Sequence, residues 1–348
     1  MKKYLLGIFV SMMCVAALAG CSQAPAESEN TPEQTPAAHT ESSNKAEGAQ
    51  TQEASTVKIK DIHGELEVPK NPTKVVALDN RTFDTLNSWG VKLQAVPKDV
   101  MPADSPYVKD ESVANVGNHR EPNLEAIAAA DPEVVIVGQR FAKYYEDIKK
   151  LVPNAVVVDF SFDVSNKDGK AAEDLVAGFS ESTLALGQIF DKEIEAQEIV
   201  DKFNKSIEDV KANYKPENKV MVLVVSGGNI GYSAPGSGRV WGPLFDLIGF
   251  SPALQVENSS SDHKGDDVSV EAIAQSNPDL ILVLDRDAAI SDTTSQPASE
   301  VIEKSPALAE VNALKNKYAY YAPSDTYTNE SIQTYTKIFE ELAEQLKK

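Results

Sequence analysis

The chain has 348 residues, with 53 Asp and Glu against 33 Lys and Arg and a formal net charge of −20 at pH 7. An acidic excess of this size excludes a protein that grips nucleic acid by releasing phosphate counterions, and it opposes adsorption on anionic lipid. Its two cysteines, Cys14 and Cys21, both lie near the N-terminus. No disulfide framework is therefore available to the rest, and roughly 290 ordered residues must be held by a core of ordinary size.

Lys2 and Lys3 precede an apolar run from Tyr4 to Ala19, which is too short to span a bilayer as a stable helix. The run ends Leu18-Ala19-Gly20-Cys21. Basic start, apolar core, small residues and cysteine, in that order, resemble the bacterial lipoprotein signal. The resemblance implies that residues 1–20 are removed, Cys14 with them, and that Cys21 carries lipid. Residues 21–56 are mostly Ser, Ala, Pro, Gln, Thr and Glu. Such a segment buries too little to offset its ordering entropy and is expected to be a disordered acidic tether, with His39 inert in it.

Residues 57–68 place Val57, Ile59, Ile62, Leu66 and Val68 around His63-Gly64 and read as a β-hairpin ended by Pro69 and Pro72. A buried strand follows at Lys74–Leu78, then a helix over Phe83–Trp89 closed by Gly90, and a short strand at Val113–Val116. The turn Gly117-Asn118-His119-Arg120 leads to a strand at Val134–Val137, a helix over Phe141–Leu151 and a strand at Ala155–Asp159. From Ala171 to Tyr214 there is almost no Gly or Pro, and apolar residues recur at helical spacing. This predicts one long helix broken near Asp191, then a second. Lys219–Val225 is the next strand, Ser226–Gly238 a loop of small residues, and Trp241–Gly249 a helix. Strands at Ile281–Leu284 and Tyr318–Tyr321 and an amphipathic helix over Ser331–Lys348 complete the chain. The stretch GGNIGYSAPGSG within the small-residue loop lacks the Lys-Ser/Thr of a phosphate-binding P-loop and the Rossmann spacing.

Two segments nearly repeat each other. LEAIAAADPEVVIVGQR (124–140) and VEAIAQSNPDLILVLDR (270–286) each give a short helix, an Asp/Asn-Pro turn, an apolar strand and an arginine. Two similar α/β lobes are predicted, each presenting an arginine where open α/β sheets bind ligands. Only five of the 33 basic residues are arginine: Arg81, Arg120, Arg140, Arg239 and Arg286. Generic positive charge is supplied by Lys. Guanidiniums kept for loops after strands suit bidentate or stacking contacts to an anionic aromatic group.

From about residue 57 to the end, the chain resembles the periplasmic-binding-protein family that feeds iron-siderophore and cobalamin importers. The resemblance rests on the opening hairpin, Lys74-Val75-Val76, Asn123-Leu124-Glu125-Ala126-Ile127 with Asp131-Pro132, Gly238-Arg239-Val240 and Asn277-Pro278-Asp279. Gly117–Pro122 and Leu284–Ile290 are most similar to the catecholate binders of the enterobactin and petrobactin type. The implied fold is α/β, a class III solute-binding protein of two Rossmann-like lobes, 57–170 and 193–348, joined by a long backbone helix over 171–192. The implied activity is capture of a ferric catecholate-type siderophore for an ABC permease, with no permanent cofactor and no catalysis. The chain is expected to be a monomer, lipid-anchored through Cys21 to the outer face of the membrane of a Gram-positive cell.

The resemblance also implies site residues. Arg140, Arg239 and Arg286 match the arginines that contact catecholate oxygens. His263 and Tyr327 match a histidine and a tyrosine that complete iron coordination, His263 only after a one-residue gap. Arg81 has no counterpart and is expected as a fourth charge at the cleft mouth. Asp84 and Asp246 match carboxylates that dock on the permease, where Glu is usual. Rival readings keep the fold and change the ligand to ferric hydroxamate, haem or cobalamin, or make the chain a receptor for bare Zn or Mn, or a surface enzyme. Four His are few for a metal receptor, and no GxSxG or HExxH motif supports an enzyme.

Overall fold

The computed structural model describes residues 55–257, 259, 264–290 and 295–348. Cys21, the expected signal segment, nearly all of the expected tether and His263 lie outside the described residues.

β1 (Thr56–Asp61) and β2 (Gly64–Pro69) pair as an antiparallel hairpin. Next come β3 (Val75–Ala77), α1 (Phe83–Ser88), β4 (Leu93–Val96), α2 (Pro106–Lys109), β5 (Ala114–Asn115), α3 (Leu124–Ala129), β6 (Val134–Val137), α4 (Tyr145–Leu151) and β7 (Val156–Asp159). The strands form a parallel sheet in the order β5-β4-β3-β6-β7. All of β3 and β6 is buried, as expected of Val-rich strands covered on both faces. β4 was not foreseen, because Leu93-Gln94-Ala95-Val96 is short and carries a polar residue.

α5 (Ala171–Phe190) ends at Asp191, which takes a left-handed φ of 57° and turns the chain into α6 (Glu193–Asn213). The two halves of α5 belong to different cores. Leu175 and Phe179 pack with the second lobe, whereas Ala185, Leu186, Ile189 and Phe190 pack with the first. The helix thus runs from the second lobe back to the first, and α6 returns the chain through Val200, Phe203, Ile207 and Val210. α5 spans the two lobes, while the apolar face of α6 packs in the second-lobe core.

The second lobe contains β8 (Lys219–Ser226), β9 (Asn229–Tyr232), α7 (Gly242–Ile248), β10 (Ser251–Pro252), α8 (Val270–Ser276), β11 (Leu280–Asp285), α9 (Arg286–Ile290), α10 (Ala298–Glu303), α11 (Asn312–Lys315), β12 (Ala319–Tyr321) and α12 (Ile332–Leu346). Its sheet runs β10-β8-β11-β12 in parallel, with β9 antiparallel to β8. The expected loop Ser226–Gly238 therefore contains a strand. Gly227 and Gly228 make the reversal at φ 61° and 71°, and the Asp287 carboxylate accepts both of their N–H groups at 2.7 and 2.8 Å.

The repeated segments fold alike. Asn123 caps α3 and Ser269 caps α8, each accepting from the backbone N–H three residues on. Asp131 and Asn277 leave those helices at φ 43° and 42°. Glu133 then accepts from the N–H of Lys74, and Asp279 from that of Lys219, fixing each unit to the start of its lobe's central strand.

Candidate functional site

Strand order reverses between β3 and β6 in one sheet and between β8 and β11 in the other, and open α/β sheets bind ligands beyond the carboxyl ends of such strands. Arg81 follows β3, Arg140 follows β6, and Arg286 follows β11. Arg239 comes from the loop after β9. These residues converge on one segment between β12 and α12, which carries Tyr327 and Glu330.

The Tyr327 ring, 7% exposed, is the focus of three guanidiniums. Cζ of Arg239 lies 4.3 Å from its centroid, Cζ of Arg286 5.2 Å and Cζ of Arg140 5.8 Å. Arg140 Nη2 also donates to the Tyr327 carbonyl at 3.0 Å. Arg286 Nη1 donates to Ser226 Oγ at 3.0 Å, while its buried Nε has no partner.

Glu330 supplies the anion of the group. Arg239 donates to its Oε1 through Nε at 2.8 Å and also through Nη2. Arg140 Nη2 is 3.8 Å from Oε1, and Arg81 Nη2 is 4.0 Å from Oε2. Burial alone would push this carboxyl up, but Arg239, Arg140 and Arg81 outweigh it and hold Glu330 below its ordinary range. Arg140 is pushed down by burial and by Arg239. Burial also acts to lower Arg239, but Glu330 and Tyr327 raise it on balance.

Arg81 is not at the cleft mouth. It is 6% exposed, stacked with Cζ 3.7 Å above the Phe162 ring and donating through Nη1 to the Phe162 carbonyl at 3.1 Å. Phe162 packs in turn on Phe179 of α5, with ring centroids 5.1 Å apart, and Phe179 on Tyr335 of α12. Gly178 makes this possible, since a Cβ there would come within 2.2 Å of the Phe162 ring. A β-branched outlier sits beside Arg239: Val240 has φ 65°, its carbonyl accepting from Tyr335 OH at 3.2 Å. Strain of this kind persists only where the surroundings over-determine it.

The same segment stitches the lobes together. Asn80 Nδ2 donates to the Thr328 carbonyl at 2.6 Å, and Gln333 Nε2 to Thr85 Oγ1 at 2.8 Å. Asp84 Oδ2 accepts from Ser331 Oγ at 2.6 Å and Asn329 Nδ2 at 3.0 Å. Asp84, expected as a permease-docking carboxylate, is half-buried at this seam. Asp246 on α7 is exposed.

Of the sequence candidates, Arg140, Arg239, Arg286 and Tyr327 come together, with Arg81 beneath them; Asp84 bonds the residues on either side of Glu330, and Asp246 lies on the exposed surface of α7. Glu330, Asn80 and Phe162 were missed. Glu330 stands in the polar run Thr328-Asn329-Glu330-Ser331 before a helix cap, a context that reads as solvated. His119 is a further omission: burial, then Arg140 and other cations around it, push its imidazole down and favour the neutral form.

Over 354 residues, covering 100% of both chains, the protein is 29% identical to the petrobactin-binding protein YclQ of Bacillus subtilis. It is 28% identical over 282 residues to the ferric-anguibactin-binding protein FatB of Vibrio anguillarum, covering 80% of this chain and 84% of that one. The crystal structure of YclQ superposes with a TM-score of 0.69 over 84% of this chain and 99% of that one, at 28% identity. The family model described as periplasmic binding protein matches residues 75–326, most of the described chain, and the protein belongs to that family.

Proposed function

We propose that this protein is the lipid-anchored binding component of an ABC importer, capturing a ferric catecholate-type siderophore and delivering it to the permease. The observation that carries this reading is the meeting of guanidiniums from both lobes at Tyr327. A ferric tris-catecholate is a flat-ringed trianion, and guanidiniums both hydrogen-bond to its oxygens and stack on its rings. Each charge-assisted bond contributes about 1.5–3 kcal/mol, so three account for a large share of a nanomolar affinity near about −12 kcal/mol. Phenolate oxygen suits Fe(III), which gives Tyr327 a second use as a ligand when the siderophore leaves coordination sites open, with His263 as its companion.

A neutral ferric hydroxamate makes no comparable use of so many buried cations. Arg140, Arg239 and Arg286 hold the anion, Arg81 supports them from below, and Asp246 and the seam carboxylate Asp84 face the permease. The protein works as a monomer and turns nothing over. YclQ, named for binding petrobactin, and FatB, named for binding ferric anguibactin, support the choice of ligand class.

Trp241 stands two residues after Arg239, and its backbone N–H donates to the Arg239 carbonyl at 2.8 Å, which makes its fluorescence a reporter for the site. Titration of tryptophan fluorescence should show quenching at nanomolar ferric tris-catecholate and none at the same concentrations of ferric hydroxamate, haem or cobalamin. Saturable quenching by one of the latter alone would reject the reading.

A further inference from the structure

We infer that Glu330 is a built-in stand-in for the ligand: a carboxylate that holds the guanidiniums of both lobes in the unliganded protein and competes with the incoming anion for them. This rests on the proposed binding of an anion in the same cleft.

The geometry gives three reasons. Glu330 is 5% exposed and touches guanidiniums of both lobes, Arg81 and Arg140 on one side and Arg239 on the other. Four guanidiniums crowd one small volume around Tyr327 and Phe162, and like charges so placed repel unless an anion lies among them. Glu330 is the carboxylate placed among them, and it occupies the Nε–Nη2 edge of Arg239, the edge that planar bidentate recognition uses.

The charge balance has a consequence for selectivity. Four guanidiniums outnumber Glu330 and the neighbouring Asp79, so the cluster keeps a positive excess that suits a polyanion. A ligand must therefore outbid an anion already in place. A trianion does so by engaging several guanidiniums at once, whereas a monoanion offers them no more than Glu330 does. The carboxylate thereby keeps out small anions that would otherwise fill the arginine cluster.

The test uses the mature chain and Glu330→Gln, which keeps the shape and the acceptor oxygen and removes the charge. The first arm needs no siderophore. Thermal unfolding is followed in chloride and in sulfate at equal ionic strength. Wild type should respond to sulfate only through its general salting effect. The variant should melt lower in chloride and recover most of the difference in sulfate, because the inorganic dianion takes the vacated place. The second arm titrates ferric tris-catecholate, for which the variant should bind about tenfold more tightly than wild type.

If Glu330→Gln does not fold, Arg81→Gln/Glu330→Gln removes one charge of each sign and should show the same extra response to sulfate. Equal sulfate responses in wild type and variant, or weaker siderophore binding by the variant, would overturn the inference. Absence of ferric catecholate binding by wild type itself would reject the proposed function, while the sulfate arm would still decide the role of Glu330.

Discussion

Ser331 donates its hydroxyl to Asp84 Oδ2 at 2.6 Å, joining the first helix of one lobe to the capping residue of the last helix of the other. The same hydroxyl oxygen accepts the Thr334 N–H at 3.1 Å, so one side chain both caps α12 and crosses the seam. Asp84→Ala should therefore cost about 1–3 kcal/mol, since it removes two hydrogen bonds to a charged acceptor at a half-buried site. Denaturant unfolding of the ligand-free protein measures this, and Asp84→Asn, which keeps an acceptor oxygen, should lose less. An unchanged midpoint for Asp84→Ala would mean that the seam is held by other contacts.

The arginines should separate by phenotype. Arg286 makes one bond to Ser226, and its Nε has no partner, so Arg286→Gln should leave folding nearly intact and weaken siderophore binding by about 1.5–3 kcal/mol. Arg239→Gln removes the closest partner of a buried carboxylate and should cost binding and also about 3–5 kcal/mol of stability. Paired fluorescence titrations and unfolding curves would show the contrast, and equal stability losses in the two variants would contradict it.

Support from below the site is tested by Gly178→Ala. The added methyl would come within 2.2 Å of the Phe162 ring, which must then leave α5 and take Arg81 with it. Overpacking of this kind costs about 1–3 kcal/mol. Siderophore affinity should fall as well, although residue 178 lies on a helix that does not reach the ligand. Phe162→Leu in the same background should restore part of the stability by making room for the methyl.

Asp79 gives the protein a pH signature. Burial pushes its carboxyl from the ordinary 3.8 up to about 6, with Arg81 opposing. The folded state then binds the proton more tightly than the unfolded chain, so Asp79 weakens the fold above about 6, and that penalty disappears as the pH falls toward 3.8. Asp79→Asn should be more stable than wild type by about 1–3 kcal/mol at pH 8, and indistinguishable from it near pH 4. Glu330 has the opposite sign: its folded value is lowered, so its contribution is present at neutral pH and lost on acidification. Unfolding free energies of the Asp79 variant from pH 4 to 8 check the first statement, and a constant difference across that range would refute it.

Much of the fold was written in local pattern. Val134–Val137 and Leu280–Leu284 are strands because four or five consecutive apolar residues, all β-branched in the first, suit a sheet covered on both faces, and this is visible without tertiary knowledge. The direction of α5 was not visible. Periodicity shows that Leu175 and Leu186 are buried, but not that they are buried against different lobes. β9 was hidden because Gly231 within it and Gly227-Gly228 before it suppress the strand signal. At the site, scarcity made the arginines legible, since a residue used only five times draws notice. Glu330 was illegible for the opposite reason. The chain has 53 acidic residues, and only three-dimensional placement distinguishes this buried one from its solvated fellows.

Tyr327 and Glu330 lie close to the C-terminus, beyond all four guanidiniums that gather around them. Synthesis proceeds from the N-terminus, so a growing polypeptide has every cation of the cluster before it has the groups that reconcile them. The cluster is completed only when this last segment docks, so closure of the site is tied to the packing of α12.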